Sequence, residues 1–498
     1  MIESPQLSAA DDRSYVSPIL DPVSRRGTWL AVALLAAGGL GCHRRAKTGA
    51  AGDVATDRED AKRIAAANLT GDGAYRRVAA LADQFGPRMT GSPALERAIV
   101  WAHDAFVADG QKNVALDPVR VPIWQRGAES AEIVAPAPRR LAVLGLGGTV
   151  ATPAGGLTAE VAVVRSFDEL AKLGTSVRGK IVLFDHPYPT DVPNAAAGYG
   201  KSIPYRTEGA TRAAALGAVA ALVRSLASAS LGAPHTGQMH YGPGPKIPTA
   251  ALSVEDAELL DRLAARGPVT VHLVLEDGPR PDAPSFNVLA ELRGREQPDE
   301  IVVISAHIDT WDVGEGAQDD GAGCAIVMES LATLRRLGLV PRRTIRAVLF
   351  TSEEEGAQGG KTYAETHAKE LARHVAAFET DIGAGTPLGL RIDAGPEAVA
   401  EARQLVMLLT PLGATQIDTG FAGSDINAMR PAGVPLLGLF SDPTHYFDVH
   451  HSIADTLEKI DPVALGRNVA AMATMAYVVA DRPTRWPVSP PPPPEHKP

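Results

Sequence analysis

Along residues 286–480 the chain alternates short apolar runs with longer stretches whose apolar positions recur every three or four residues. NVLAEL, IVVISAH, IRAVLFTS, VAAFETD and GVPLLGLF are nearly continuous in apolar side chains, so each predicts a buried strand. Between them, residues 322–337 put Ile326, Val327, Leu331, Leu334 and Leu337 on one helical face, ending at Gly338 and Pro341. Further helices are expected near 359–373, over 396–412 and over 462–480. Such alternation predicts an α/β fold, a mainly parallel mixed sheet with helices on both faces.

Residues 60–110 read as helices broken at FGPRMTGSP, where Gly86, Pro87, Gly91 and Pro93 punctuate a loop. Over 121–280 the texture changes to short β-like runs between glycine turns: AEVAVV, GKIVLF and TVHLVL. One alanine-rich helix is expected there, at 208–225. The pattern predicts a smaller β-rich domain inserted into a discontinuous one made of 61–120 and 281–482. Residues 43–60 read as a polar linker, and 483–498 as a proline-rich tail outside any core. No internal repeat is present, and no GxGxxG, P-loop or GxSxG pattern falls in a strand–turn–helix context.

Composition narrows the classes. A chain of 498 residues exceeds one ordinary core, in keeping with two domains. The net charge of −10 argues against nucleic acid, whose phosphates need a basic face. Two cysteines, Cys42 and Cys324, exclude a disulfide framework and a thiolate zinc cluster. Cys42 closes RRGTWLAVALLAAGGLGC (25–42), whose arginines and short apolar run read as a secretory signal. Gly-Leu-Gly-Cys at 39–42 is similar to a bacterial lipobox, with Gly39 where leucine is usual, and makes Cys42 the candidate lipidation site. The expected product is an exported lipoprotein that touches the membrane only through its lipid; the alternatives are ordinary signal cleavage, which would make it secreted, and a membrane anchor with an incidental cysteine.

Ligands of parallel α/β sheets bind beyond the carboxyl ends of the strands. His307 and Asp309 follow IVVISA, Glu353, Glu354 and Glu355 follow IRAVLFTS, and Asp381 follows VAAFET. His450 and His451 follow GVPLLGLF, and Asp319–Asp320 open a helix. Each cluster alone is commonplace: Asp-Asp-Gly usually caps a helix, and three glutamates usually make a solvated turn. Together on one rim they fit divalent cations, which take imidazole nitrogen and carboxylate oxygen. Two close cations need a shared carboxylate, and amide hydrolysis needs a further carboxylate as proton carrier, a division that adjacent glutamates suit.

These motifs resemble the M28 family of zinc peptidases over roughly residues 60–480. The resemblance rests on SAHIDTWDVGEGAQDDGAG, FTSEEEG, ETD, GSDI and VHHSIADT, with FGPRMTGS similar to the family's N-terminal loop. It implies a zinc-exopeptidase fold, with 121–280 as a protease-associated insert. It implies two zinc ions per chain: Asp319 as the shared ligand, His307 and Asp381 completing one site, Glu354 and His451 the other. Glu353 would be the general base, and Asp309 would fix the His307 tautomer. The implied substrates are dipeptides or short peptides, with Tyr446 and Phe447 as candidate lining residues and amino- against carboxypeptidase action left open. A homodimer is a further expectation, since relatives of this subtype are often dimers. The same fold admits a single-zinc glutaminyl cyclase or a binding protein without catalysis, but a filled set of five ligand positions and a base favours the peptidase.

Overall fold

The structure is a computed structural model that describes residues 49–489. The signal segment, Cys42 and residues 490–498 lie outside the described residues.

The larger sheet has eight strands, in the spatial order Lys112–Gln125, Gly278–Leu292, Arg343–Phe350, Gln297–His307, His374–Glu379, Leu436–Ser441, Pro387–Asp393 and Gln416–Thr419. Its centre, from Arg343–Phe350 to Leu436–Ser441, is parallel, and antiparallel neighbours flank it. These central strands are the apolar runs of the sequence, and being buried on both faces they lack an alternating pattern. The fold is thus mixed α/β.

Helix Ala322–Arg336 is buried on every side from Ala322 to Leu334, not on one face, because it lies between the sheet and helices Gly73–Phe85 and Pro462–Asp481. Helix Pro462–Asp481 starts at Asp461, whose carboxylate accepts from the amides of Val463 and Ala464 at 2.8 and 3.4 Å. Its length and apolarity would suit a membrane span, but 89% of its apolar window is buried inside the fold. Where it crosses Gly49–Leu69, a Cβ on Gly466 would stand 2.6 Å from the Asn68 carbonyl oxygen, so only glycine permits this approach.

Residues 129–275 supply the eight strands of a second sheet, with apolar clusters of its own. The connection is an antiparallel ribbon of Lys112–Gln125 against Gly278–Leu292, so the boundaries drawn at 120/121 and 280/281 fall inside paired strands. The second sheet is more mixed than a β-rich reading allows. The helix expected at 208–225 stops at Ala215; Gly217 turns the chain at φ +92°, and Ala220–Arg224 enters the sheet between Ile181–Phe184 and Thr249–Leu252. Its VAALVR segment is apolar enough for either element, and burial between two strands decides.

Three other boundaries move. Helix Gly49–Leu69 starts inside the segment read as a linker at 43–60. The helix expected near 359–373 ends at Thr366. The tail read from 483 begins packed: Trp486 is buried in the main core, and the Ser489 amide donates to Gly433 O at 2.9 Å. One indole among prolines suffices, because its apolar area outweighs the composition around it.

Below the central strands, Arg346 Nη1 donates to Tyr363 Oη at 2.9 Å, and that hydroxyl lies 2.9 Å from His374 Nε2. His374 Nδ1 lies 3.0 Å from Glu370 O, a carbonyl that can only accept. The relay needs neutral His374 with its proton on Nδ1, and burial lowers its pKa to about 4. The stability this neutral ring contributes is full above an unfolded pKa near 6.5 and is lost as pH falls toward 4. Wild-type protein should therefore lose about 2 kcal/mol more than His374→Gln between pH 7.5 and 5.0 in urea unfolding. Equal losses would reject this role for the ring.

Candidate metal centre

The carboxyl ends of the parallel strands converge on a cleft of about 410 Å³ whose lining includes Asp319, Glu353, Glu354, Asp381, His450 and His451. His307 ends its strand, and its Nε2 lies 3.3 Å from Asp319 Oδ1 and 3.3 Å from Asp381 Oδ1. The other oxygen, Asp319 Oδ2, lies 3.3 Å from His451 Nε2. His451 Nε2 is also 3.0 Å from Glu354 Oε2. Asp319 thus turns one oxygen toward His307 and Asp381 and the other toward His451 and Glu354.

The neighbouring aspartate has different work. Asp320 Oδ1 accepts from the Gly323 amide at 2.9 Å and so caps helix Ala322–Arg336, while Oδ2 accepts from the His307 amide at 3.2 Å. The loop carrying Asp319 is held from two sides. Asp455 accepts from the amides of Gln318 and Asp319 at 2.7 and 3.1 Å. Arg88, fully buried, donates to the carbonyls of Ile308, Gly86, Glu315 and Gly316.

Asp309 was expected to fix His307 through its carboxylate. His307 Nδ1 instead meets the Asp309 carbonyl at 3.1 Å, with the carboxylate at 3.7 Å. That carboxylate accepts from the amides of Glu353 and Glu354 at 3.1 and 3.2 Å, holding the glutamate turn. The carbonyl two residues on is the nearer acceptor, and the two amides claim the side chain. Trp311 adds a bond of 2.6 Å from Nε1 to Glu354 Oε2.

His450 and His451 stack with centroids 3.5 Å apart, and His450 Nε2 also reaches Asp319 Oδ2, at 3.5 Å. Their environments separate them. His451 Nδ1 is 3.2 Å from Thr236 O, which leaves Nε2 as the lone-pair nitrogen facing Asp319 and Glu354. Thr236 belongs to the inserted segment, and its amide donates back to His451 O at 2.9 Å. Tyr446 and Phe447 both line the cleft, and Tyr199 of the inserted segment stacks on Phe447 at 4.6 Å. Glu355 is buried away from the cleft lining, and burial pushes its carboxyl up to about 8. In GSDI, Asp425 accepts from the Gly360 amide at 3.0 Å, and Ile426 donates to Glu379.

Burial, with Asp381 and Glu354 nearby, holds Glu353 well above the usual carboxylate range; burial also raises Glu354 and Asp381. Burial favours neutral Asp319 too, but His307 and His451 hold it well below that range.

The residues fit a divalent metal. Asp319 Oδ2 and Glu354 Oε1 are buried without a hydrogen-bond partner, although histidine nitrogens lie within contact distance of the first. Donors aimed past each other in this way share a third point. One donor atom each from His307, Asp319 and Asp381 lie within 4.8 Å of one another, as do those of Asp319, His450 and His451. Asp319, Glu353, Glu354 and Asp381 also outnumber the imidazoles of His307, His450 and His451, a balance that suits a cation.

Sequence reading assigned no role to Asp455, Trp311 or Arg88, although each sits inside a quoted motif. Thr236 and Tyr199 carried no signal, since only the fold brings the inserted segment over the metal loops.

Among known proteins, the profile of Peptidase family M28 matches residues 287–476. Carboxypeptidase Q of Mus musculus is 44% identical over 409 residues, covering 82% of this chain and 85% of that protein. Carboxypeptidase Q of Homo sapiens is 43% identical over the same shares. Among solved structures, a peptidase M28 precursor from Shewanella amazonensis SB2B superposes with a TM-score of 0.84 at 36% identity, covering 88% of this chain and 100% of that one. A zinc aminopeptidase from Bacillus subtilis shares the fold, with a TM-score of 0.63 at 20% identity, covering 84% and 97% of the two chains.

Proposed function

Because the chain belongs to peptidase family M28 and is a metallopeptidase, we propose that it is a two-zinc exopeptidase acting on dipeptides or short peptides. The observation that carries this is Asp319, whose two oxygens face two different histidine–carboxylate sets. His307 and Asp381 would hold one ion, Glu354 and His451 the other, with Asp319 shared. His451 is preferred to His450 because it touches Glu354 and is oriented by Thr236. Zinc, when bound, supplies Lewis acidity toward a carbonyl and toward water.

The remaining work falls to side chains. Glu353, on the cleft wall beside Glu354, takes a proton from water and returns it to the departing amine. Asp309 fixes Glu353 and Glu354 through their amides, so the two carboxylates keep separate tasks. Tyr446, Phe447 and Tyr199 narrow the cleft, which favours short peptides over folded proteins. The inserted segment 121–280, read as a protease-associated domain, supplies that wall.

Elemental analysis of purified protein should give about two zinc per chain, against about one for a cyclase-type site. A free dipeptide should be hydrolysed faster than an N-blocked dipeptide or an aminoacyl-anilide. No peptide hydrolysis with added zinc or cobalt would leave a binding protein of this fold. Export through a lipidated Cys42 belongs to the same proposal; Cys42→Ala should move the protein from the membrane to the soluble fraction, and unchanged partition would reject lipidation.

A further inference from the structure

The two halves of the proposed metal centre are held by different parts of the chain. His307 is oriented from within the larger domain: its Nδ1 meets the Asp309 carbonyl at 3.1 Å, and its amide donates to Asp320 Oδ2 at 3.2 Å. Asp381 follows the adjacent parallel strand, His374–Glu379. The shared Asp319 is anchored by Asp455, also of the larger domain.

Glu354 and His451 are reached by the inserted segment. Trp311 Nε1 donates to Glu354 Oε2 at 2.6 Å, and Glu354 Oε1 is left buried without a partner. The same indole lies 5.7 Å from His451, centroid to centroid. It is buried, with Trp124 of the connecting ribbon 6.5 Å away; Trp124 Nε1 donates to Thr149 O at 3.0 Å. Gly147 of the inserted segment lies against its six-membered ring, so closely that a Cβ there would overlap Cη2. Gly147 is fixed in turn: its amide donates to Gly237 O at 3.1 Å, and its carbonyl accepts from the Met239 amide at 3.0 Å. The strip 236–239 that holds it also carries Thr236, whose carbonyl lies 3.2 Å from His451 Nδ1 and whose amide donates to His451 O at 2.9 Å. One piece of the inserted segment thus bears on both unshared ligands of one ion, on Glu354 through Trp311 and on His451 directly.

We propose that the inserted segment sets zinc affinity at the Glu354–His451 site alone, with Trp311 as the positioning residue that carries its contact to Glu354. The proposal rests on the two-zinc reading and deepens it, because it makes the ions unequal. One is held by the larger domain itself; the other depends on how the inserted segment is seated. An indole N–H can only donate, so Trp311 occupies one oxygen of Glu354 and cannot compete as a ligand. A carboxylate held in this way has less rotamer freedom to lose when a cation binds, and supporting hydrogen bonds of this kind change metal affinity about 10- to 100-fold. The alternative is that Trp311 only packs the two domains together, in which case its loss would loosen both sites alike.

Zinc titration of metal-free protein, followed by calorimetry and native mass spectrometry, separates the two. Wild type should take up two ions, and His451→Ala one; the step that His451→Ala loses marks the Glu354–His451 site. Trp311→Phe keeps an aromatic ring and removes the N–H. It should weaken that step about 10- to 100-fold and leave the other within about 3-fold. Combined with His451→Ala, it should leave the affinity of the remaining zinc unchanged. Gly147→Ala crowds the indole from the inserted segment without touching a ligand and should weaken the same step. In Trp311→Phe protein it should add little, because the ring atoms it meets are gone. Equal weakening of both steps, no change at either step, or an undiminished effect of Gly147→Ala in Trp311→Phe protein would each overturn the proposal. If Trp311→Phe does not fold, Gly147→Ala decides alone, by a loss at one step or at both or neither. Wild-type protein that takes up a single zinc would sink the two-zinc reading, and this inference with it.

Discussion

Glu353→Gln should lower kcat by about 10³-fold or more on a dipeptide while leaving zinc content at its wild-type value. The substitution keeps size and shape and removes only the capacity to take and return a proton. The backbone of residue 353 is independently anchored, since its amide donates to Asp309 Oδ1 at 3.1 Å. The carboxylate itself lines the cleft and is not among the contacts joining His307, Asp319, Asp381, Glu354 and His451. KM should change little, because the lost interaction belongs to the transition state. Turnover within about 10-fold of wild type would remove Glu353 from the chemistry. Loss of zinc together with turnover would mean that it holds metal.

The sheet was legible because its strands carry their burial in their composition. IVVISAH and IRAVLFTS are apolar without a break, and parallel packing buries both faces. The site was legible for a related reason: a strand end is where a parallel sheet presents its ligands, so position along the chain implied convergence. Choosing between neighbours was harder. Asp319 and Asp320 are indistinguishable by residue type, and a helix cap separates them, because the Gly323 amide engages Asp320. The His450–His451 choice likewise depends on a carbonyl 215 residues away in sequence, that of Thr236.

What the sequence hid lies mostly in the inserted segment. VAALVR is equally apolar as helix or strand, and only its neighbours at Ile181–Phe184 and Thr249–Leu252 make it a strand. Arg206 carries no signal in the sequence, and helix Ala195–Thr207 brings it to the cleft lining. Asp309 shows the opposite limit. The family resemblance implied that it pairs with His307, but its own carbonyl is nearer to Nδ1 than its carboxylate.

Asp319→Ala should abolish turnover and leave fewer than about one zinc per chain, because it removes the oxygen pair placed between both ligand sets. The Lewis acidity of a metal is worth several kcal/mol, so the expected loss is about 10³-fold or more. Asp455→Asn provides the contrast. Among the described residues its carboxylate receives the amides of Gln318 and Asp319 and touches no proposed ligand side chain. It should cost about 10- to 100-fold in zinc affinity, with activity restored at high zinc, as a supporting contact would. Asp320→Asn should act on folding instead, since Asp320 holds the helix start and the His307 amide. The three substitutions therefore separate by readout: zinc stoichiometry for the shared ligand, zinc affinity for the group behind it, and unfolding free energy for the cap. If Asp319→Ala keeps about two zinc and measurable turnover, the two donor sets do not share a carboxylate and the paired-metal arrangement fails.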